Sequence, residues 1–173
     1  DLPVPGVMIS EFMADNDDTL NDEEGEASDW IELFNPTTTS ASLTGWYLTD
    51  TTNNLTKWRF PTASLPAKGY LVIFASGKDR ALSGKPLHTN FKLSAAGGYL
   101  ALVDAAGEVV SEFRGYPEQF EDVSYGRDRI ATDVLGYFSR ATPGAANATG
   151  GPGFAPEVEF SVKGGTFATD FPL

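Results

Sequence analysis

Ten carboxylates are concentrated between Glu11 and Glu32, and no basic residue interrupts them. The first Lys or Arg of the chain is Lys57. Residues 15–29 hold most of these carboxylates, several at alternate positions around Gly25. Because calcium takes six to eight hard oxygen ligands, this stretch predicts a loop-based calcium site. The predicted ligands are Asp15, Asp17, Asp22, Glu24, Glu26 and Asp29.

The acidic stretch does not fit an EF-hand. With Asp22 as the first loop position, Ala27 stands where the turn glycine belongs and Leu33 stands where the bidentate glutamate belongs. Two carboxylates about 6 Å apart repel by roughly 0.7 kcal/mol in water, so a bound cation would stabilise an ordered loop. The alternative is a solvated acidic loop that only confers solubility. Both interpretations stay open from the sequence.

Two further glutamates, Glu11 and Glu32, each lie in a predicted strand among apolar neighbours, so we expect them to face each other across a strand pair. Paired carboxylates can act as general acid and base, as in glycosidases. The alternatives are that they cap strands, ligate the same cation or point to solvent. His88 is the only histidine, which excludes histidine metal clusters and favours a structural or surface role. We therefore expect no enzyme activity from this chain.

Composition limits the partners. The chain has 173 residues, a net charge of −12, 41% hydrophobic residues and no cysteine, which suits one folded domain without disulfides. Without the ten clustered carboxylates the net charge is only −2, so the acidity belongs to one segment. Nucleic-acid backbones need clustered Lys and Arg, so we expect no such partner. No apolar run reaches the roughly 18 residues of a membrane span, and we expect no membrane insertion.

Short runs of β-branched and aromatic residues between Gly and Pro predict ten strands and little helix. The predicted strands are Val7–Ala14, Asp29–Asn35, Gly45–Thr49, Lys57–Phe60, Gly69–Ala75, His88–Leu93, Tyr99–Asp104, Glu108–Arg114, Val123–Gly126 and Gly136–Arg140. A period of two in the second strand places Ile31 and Leu33 on one face, and it places Trp30, Glu32 and Phe34 on the other. The pattern indicates an all-β, antiparallel sandwich.

Other side chains have a structural and a functional interpretation. The tryptophans are expected in the core, with stacking on sugar rings as the alternative: Trp30, Trp46 and Trp58. A small solvated basic loop is expected from Lys78, Arg80 and Lys85. The predicted domain organisation is an N-terminal extension (1–6), one domain (7–147), a Gly-rich linker (148–155) and the truncated start of a second β module (156–173).

Seven stretches, in order along residues 7–147, resemble one known family, the lamin tail domain, in the form found in large secreted or surface bacterial proteins. The stretches are Val7–Ala14, Ser28–Pro36, Leu43–Asp50, Trp58–Pro61, Leu65–Ile73, Ser124–Arg127 and Thr142–Asn147. The resemblance implies an immunoglobulin-like β-sandwich, in agreement with the strand pattern. The segment from Pro156 is similar to the start of a chitobiase C-terminal-like, fibronectin III-like module.

The resemblance implies an accessory role, because nuclear members bind proteins and chromatin and bacterial members accompany secreted or surface domains. The acidity of this chain argues against a DNA role. We therefore expect a non-catalytic structural or protein-interaction module, extracellular or at the cell surface and monomeric, whose partner is a protein or a cell-surface polymer. The alternative is a carbohydrate-binding or adhesive module that accompanies a hydrolase and uses exposed aromatic side chains with calcium.

Overall fold

The computed structural model describes residues 6–148, which form twelve β-strands and no helix. The strands are β1 (Met8–Met13), β2 (Trp30–Phe34), β3 (Ala41–Ser42), β4 (Tyr47–Thr49), β5 (Trp58–Arg59), β6 (Ser64–Leu65), β7 (Tyr70–Phe74), β8 (Leu87–His88), β9 (Gly98–Val103), β10 (Val109–Tyr116), β11 (Ser124–Arg127) and β12 (Leu135–Phe138). Within residues 6–148, no helical segment has the length and apolarity that a membrane span requires.

Two sheets form an immunoglobulin-like sandwich, which confirms the predicted fold class. The larger sheet has the order β12-β11-β1-β2-β7-β8, and the smaller one has the order β10-β9-β4-β5. The short strands β3 and β6 pair with each other. All pairs are antiparallel except β7 with β8, which is parallel and departs from the purely antiparallel prediction.

The alternation in β2 separates two apolar layers, as predicted. Ile31 and Leu33 lie in the main core between the sheets. On the opposite face, Trp30 packs with Met13 and Phe74 in a second, smaller cluster. Trp30 is fully buried, and burying such a side chain contributes about 2–3 kcal/mol to stability. The second cluster means that the outer face of the larger sheet is itself covered.

The cover is the segment after β12, residues 139–147, which we call the C-terminal strap. Ala141 of the strap packs against the second cluster. Thr142 and Gly144 of the strap donate hydrogen bonds to side chains of β1 and β2. The sandwich therefore has a third layer on one side, made of irregular chain.

The predicted strand His88–Leu93 is wrong over most of its length, since only Leu87–His88 is a strand. The hydroxyl of Thr89 accepts a hydrogen bond from the Phe91 amide and donates one to the Phe91 carbonyl, which turns the chain away from the sheet. Residues 104–107 form the turn of the β9–β10 hairpin. Gly107 there has φ +89°, a conformation that a β-carbon disfavours.

The tryptophans lie mostly in the core, as predicted. Trp30 and Trp58 have 0% and 2% of their surface exposed, so neither offers a flat face to a sugar. Trp46 is half-buried and packs against the main core.

Candidate functional site

Glu11 and Glu32 are direct cross-strand neighbours on β1 and β2, which confirms the prediction that they face each other. Both side chains are fully buried, with 0% exposure. An irregularity in the pairing between Ile9 and Glu11 accompanies this arrangement. Because burying an unpaired carboxylate is costly, the hydrogen-bond partners of the two groups decide what they do.

Glu11 binds the start of the strap. Its two carboxylate oxygens each lie 3.2 Å from the Thr142 amide nitrogen, and Oε2 also accepts a 3.1 Å hydrogen bond from the Thr142 hydroxyl. The hydroxyl of Ser124 on β11 donates to Oε1 of Glu11. One buried carboxylate thus joins β1, β11 and the strap.

Glu32 binds the strap two residues further on. The Gly144 amide donates to Oε2 at 2.6 Å, and the Ser10 hydroxyl donates to Oε1 at 2.6 Å. The strap closes with Asn147, whose amide group donates to the carbonyls of Ser10 and Arg127 at 2.9 Å each. We call Glu11, Glu32 and these strap contacts the carboxylate clasp.

Burial raises the pKa of both clasp carboxyls. Desolvation, with a smaller contribution from the nearby Glu11 charge, outweighs the lowering effect of the Ser10 and Gly144 hydrogen bonds and raises the pKa of Glu32 to about 7. Desolvation likewise raises the pKa of Glu11. Such pKa values would suit a general acid, but neither group contacts solvent in this structure. The pair therefore cannot reach a substrate, and its geometry is that of a structural clasp.

Asn147→Ala should lower the free energy of unfolding by about 1–2 kcal/mol, because it leaves the buried carbonyl of Ser10 without its strap donor. Urea denaturation of the two proteins measures the change. Asn53→Ala, on an exposed turn, serves as the control and should have no effect. An Asn147→Ala protein as stable as wild type would show that the strap contributes nothing to the fold.

Asp22 organises the acidic loop, which we define as residues 15–29. Its buried Oδ1 accepts the amides of Glu24 at 2.9 Å and Glu26 at 3.1 Å. The Asp22 amide donates to the Glu26 carbonyl at 2.9 Å, and Gly25 in the turn has φ +81°. The turn is therefore ordered by its own hydrogen bonds.

Lys78 supplies the cation of this turn. Its Nζ lies 2.5 Å from Asp22, 2.7 Å from Glu24 and 2.9 Å from Glu26. Desolvation opposes ionisation of Asp22, but the Lys78 hydrogen bond and the loop amides outweigh it and lower its pKa to about 2. The same carboxylates raise the pKa of Lys78, chiefly through the hydrogen bond with Asp22. Lys78 thus stands where a calcium ion bound by these carboxylates would stand.

Arg80 and His88 pair with the same loop. Arg80 contacts Glu24 at 2.6 Å and Glu23 at 3.1 Å. His88 is fully buried and stacks on Phe74, while its Nε2 lies 2.9 Å from Glu23. Its Nδ1 lies 2.9 Å from the Ser76 hydroxyl. The expectation of a structural role for His88 fits this arrangement.

The predicted solvated basic loop is wrong for two of its three members, since Lys78 and Arg80 are ion-paired with the acidic loop. Lys85 is exposed. The physical reason is that the carboxylates gather at the end of β7, next to the basic connection that follows it. Opposite charges distant in sequence therefore meet at one edge of the larger sheet.

The structure divides the six predicted calcium ligands into two sets. Three of them offer oxygens within 4.8 Å of one another: Asp22, Glu24 and Glu26. A second group that could hold a metal ion within residues 6–148 is Asp22, Glu23 and His88. The other three predicted ligands belong to neither group: Asp15, Asp17 and Asp29. One Asp29 oxygen instead accepts the Leu93 amide at 3.3 Å. Calcium binding by the first set stays a prediction, with Lys78 as the competing cation.

The sequence analysis missed the strap as a partner of the two glutamates, and it missed Lys78 as the counter-charge of Asp22. A signal for the strap was present, because residues 142–147 are one of the stretches that carry the family resemblance. Their hydrogen-bonding role follows only from the fold. Asp122 was also missed: its carboxylate accepts the amides of Asp17 and Asp18 at 3.0 Å each.

Comparison with known proteins gives one family. The model of the Lamin Tail Domain family matches residues 3–117, more than half of the chain. Members are non-catalytic, immunoglobulin-like domains with structural and protein-interaction roles. No curated protein matches the chain. The predicted N-terminal extension (1–6), linker (148–155) and chitobiase-like start (156–173) lie outside the described residues, apart from residues 6 and 148. The chain belongs to the lamin tail domain family.

Proposed function

We propose that the chain is a structural and protein-interaction module of a larger secreted or surface bacterial protein, and that it carries out no catalysis itself. The observation that supports this function best is the use of Glu11 and Glu32. These two carboxylates could have formed an acid and base pair, but both are fully buried and bind the strap. The resemblance to bacterial lamin tail domains supports the secreted or surface location.

The partner in this proposal is a protein or a cell-surface polymer, and not a nucleic acid. The acidic loop supports the exclusion of a nucleic acid, because its eight carboxylates outnumber Lys78 and Arg80, which pair with it, and the remaining negative charge would repel a phosphate backbone. The carbohydrate-binding alternative gains no support from the tryptophans, of which Trp30 and Trp58 are buried.

Deleting residues 6–148 from the full-length protein should leave the turnover number of any catalytic domain unchanged, while attachment of that protein to its surface or partner is lost. Turnover on the protein's own substrate and its distribution between cells and medium are the two measurements. The matched control is the full-length protein with Glu11→Gln and Glu32→Gln, which removes both candidate acid and base groups. Loss of turnover in this control, with the fold intact by circular dichroism, would overturn the proposal.

A further inference from the structure

Most of the exposed large apolar side chains fall in one stretch of the sequence, residues 109–135. Seven large apolar residues are exposed in the described part of the chain, and only Leu82 lies outside residues 109–135. The most exposed of them is Ile130, at 79%. Ile130 and Val134 lie in the connection between β11 and β12, and Leu135 is the first residue of β12. We call these three residues the apolar turn, and the apolar turn together with the adjoining strand β12 the flank. Contiguous exposed apolar residues with a polar rim mark interaction sites.

The apolar turn is held in place by hydrogen bonds. Oδ1 of the buried Asp128 accepts the amides of Ile130 at 2.7 Å and Ala131 at 3.0 Å. The Asp128 amide donates to the Val134 carbonyl at 2.8 Å, and Arg127 donates to the Thr132 carbonyl at 3.0 Å. The apolar side chains are therefore presented by an ordered turn. Ordering before contact lowers the entropy cost of binding.

An available strand edge lies next to the apolar turn. β12 is the last strand of the larger sheet, so one of its sides has no neighbouring strand within residues 6–148. Two exposed cations flank it, Arg129 before the strand and Arg140 after it. An extended segment with apolar residues on one face and carboxylates on the other matches both features of this flank.

The chain's own continuation has this composition. Residues 157–162 read Glu-Val-Glu-Phe-Ser-Val, which alternates polar and apolar side chains with the period of a strand. Val158 and Phe160 fall on one face, and Glu157 and Glu159 on the other. The carboxylates complement the arginines beside β12.

The described part of the chain ends close to the apolar turn. Asn147 donates to the Arg127 carbonyl at 2.9 Å, directly before the apolar turn. Nine residues separate Ala148 from Val158, and the ten Cα–Cα steps between them span up to about 33 Å in an extended chain. A short tether gives the segment a millimolar effective concentration, which a second molecule does not reach in dilute solution.

We propose that the segment from Glu157 to Val162 docks on this flank, with Val158 and Phe160 packed against the apolar turn. The inference rests on the proposed function, because it treats the chain as one module of a longer protein and names the segment that packs on its flank. The contact would fix the direction in which the following part of the protein leaves the sandwich. A second copy of the chain and a separate protein are the competing occupants.

The absence of cysteine allows a direct test in the whole 173-residue chain. We expect Ile130→Cys with Phe160→Cys to form an intramolecular disulfide under mild oxidation at least about tenfold faster than Leu82→Cys with Phe160→Cys. Leu82 is the matched control, because it is exposed and apolar but lies on another part of the surface. Non-reducing gel electrophoresis and mass spectrometry measure the products.

Equal rates in the two cysteine pairs would overturn the inference. Disulfide-linked dimers of the Ile130→Cys single variant would assign the flank to a second copy, and would overturn it as well. A second readout places the disruptive change in the docking segment and adds none to the turn: Phe160→Asp should slow cross-linking of Ile130→Cys with Val158→Cys by about tenfold. Failure of these experiments leaves the deletion experiment on the full-length protein unaffected, so the two proposals are tested separately.

Discussion

Glu32→Gln is expected to make the protein more stable than wild type at pH 8 by about 3 kcal/mol, and equally stable at pH 4.5. The folded state holds the proton of Glu32 up to about pH 7, whereas an unfolded glutamate releases it near 4.5. The folded state therefore binds more protons between these pH values, and the stability of the wild type falls as pH rises through this window. Glutamine cannot ionise, so its contribution stays constant.

The clasp geometry accepts this substitution. The glutamine carbonyl can accept the Gly144 amide, and its amide group can donate to the Ser10 hydroxyl. The Ser10 hydroxyl can then donate to the carbonyl of residue 32, which already lies 3.3 Å away. The variant thus mimics the protonated acid and keeps both the Gly144 amide and the Ser10 hydroxyl paired.

Urea denaturation at pH 4.5, 6 and 8 measures the effect. Glu108→Gln, on the exposed hairpin, is the control and should keep the wild-type pH slope. The pKa values of Asp22 and Glu24 are lowered, so these two carboxylates lose their stabilising charge only at more acid pH. They therefore do not alter the slope of stability between pH 4.5 and 8. A Glu32→Gln protein with the wild-type slope between pH 4.5 and 8 would show that Glu32 titrates like a solvated carboxyl.

Lys78→Met is expected to lower the free energy of unfolding in EDTA by about 1–2 kcal/mol. The substitution keeps the length of the side chain but removes the ammonium from between Asp22, Glu24 and Glu26. Millimolar calcium should recover most of the loss, because a divalent cation bound by these oxygens restores the missing charge. Wild type should respond less, since its lysine already occupies that position.

Thermal melts with EDTA, calcium and magnesium measure this effect. Lys85→Met removes an exposed lysine two residues before β8 and should melt like wild type in every buffer. A Lys78→Met protein as stable as wild type in EDTA would show that the acidic loop needs no counter-charge. A destabilised variant that calcium does not recover would contradict the calcium proposal while retaining the role of the lysine.

Local sequence patterns predicted those features that depend on neighbouring residues. The alternation in β2 predicted the two apolar layers, and from it the facing of Glu32 and Glu11 across the strand pair. The clasp escaped prediction because its partners are remote: Gly144 is 112 residues from Glu32, and Thr142 is 131 residues from Glu11. No periodicity connects such positions, and only the sheet order brings them together.

The ion pairs of the acidic loop were not predictable from local sequence for the same reason. The sequence predicted carboxylates that need a cation, but Lys78 lies 56 residues from Asp22. The two meet because β2 and β7 are neighbours in the larger sheet, so the loop before β2 lies beside the connection after β7. An intramolecular ion pair and a bound metal satisfy the same charge, and spacing alone does not distinguish them.

Native-state hydrogen exchange of the Thr142 and Gly144 amides tests the carboxylate clasp most directly. Both amides donate to buried carboxylates, so their exchange in the wild type should be at least about a thousandfold slower than in an unstructured peptide. Glu11→Ala, if it remains folded, should accelerate exchange at Thr142 more than in the strands of the core. Exchange of both amides within about tenfold of the unstructured rate in wild type would contradict the account of the two glutamates as a structural clasp.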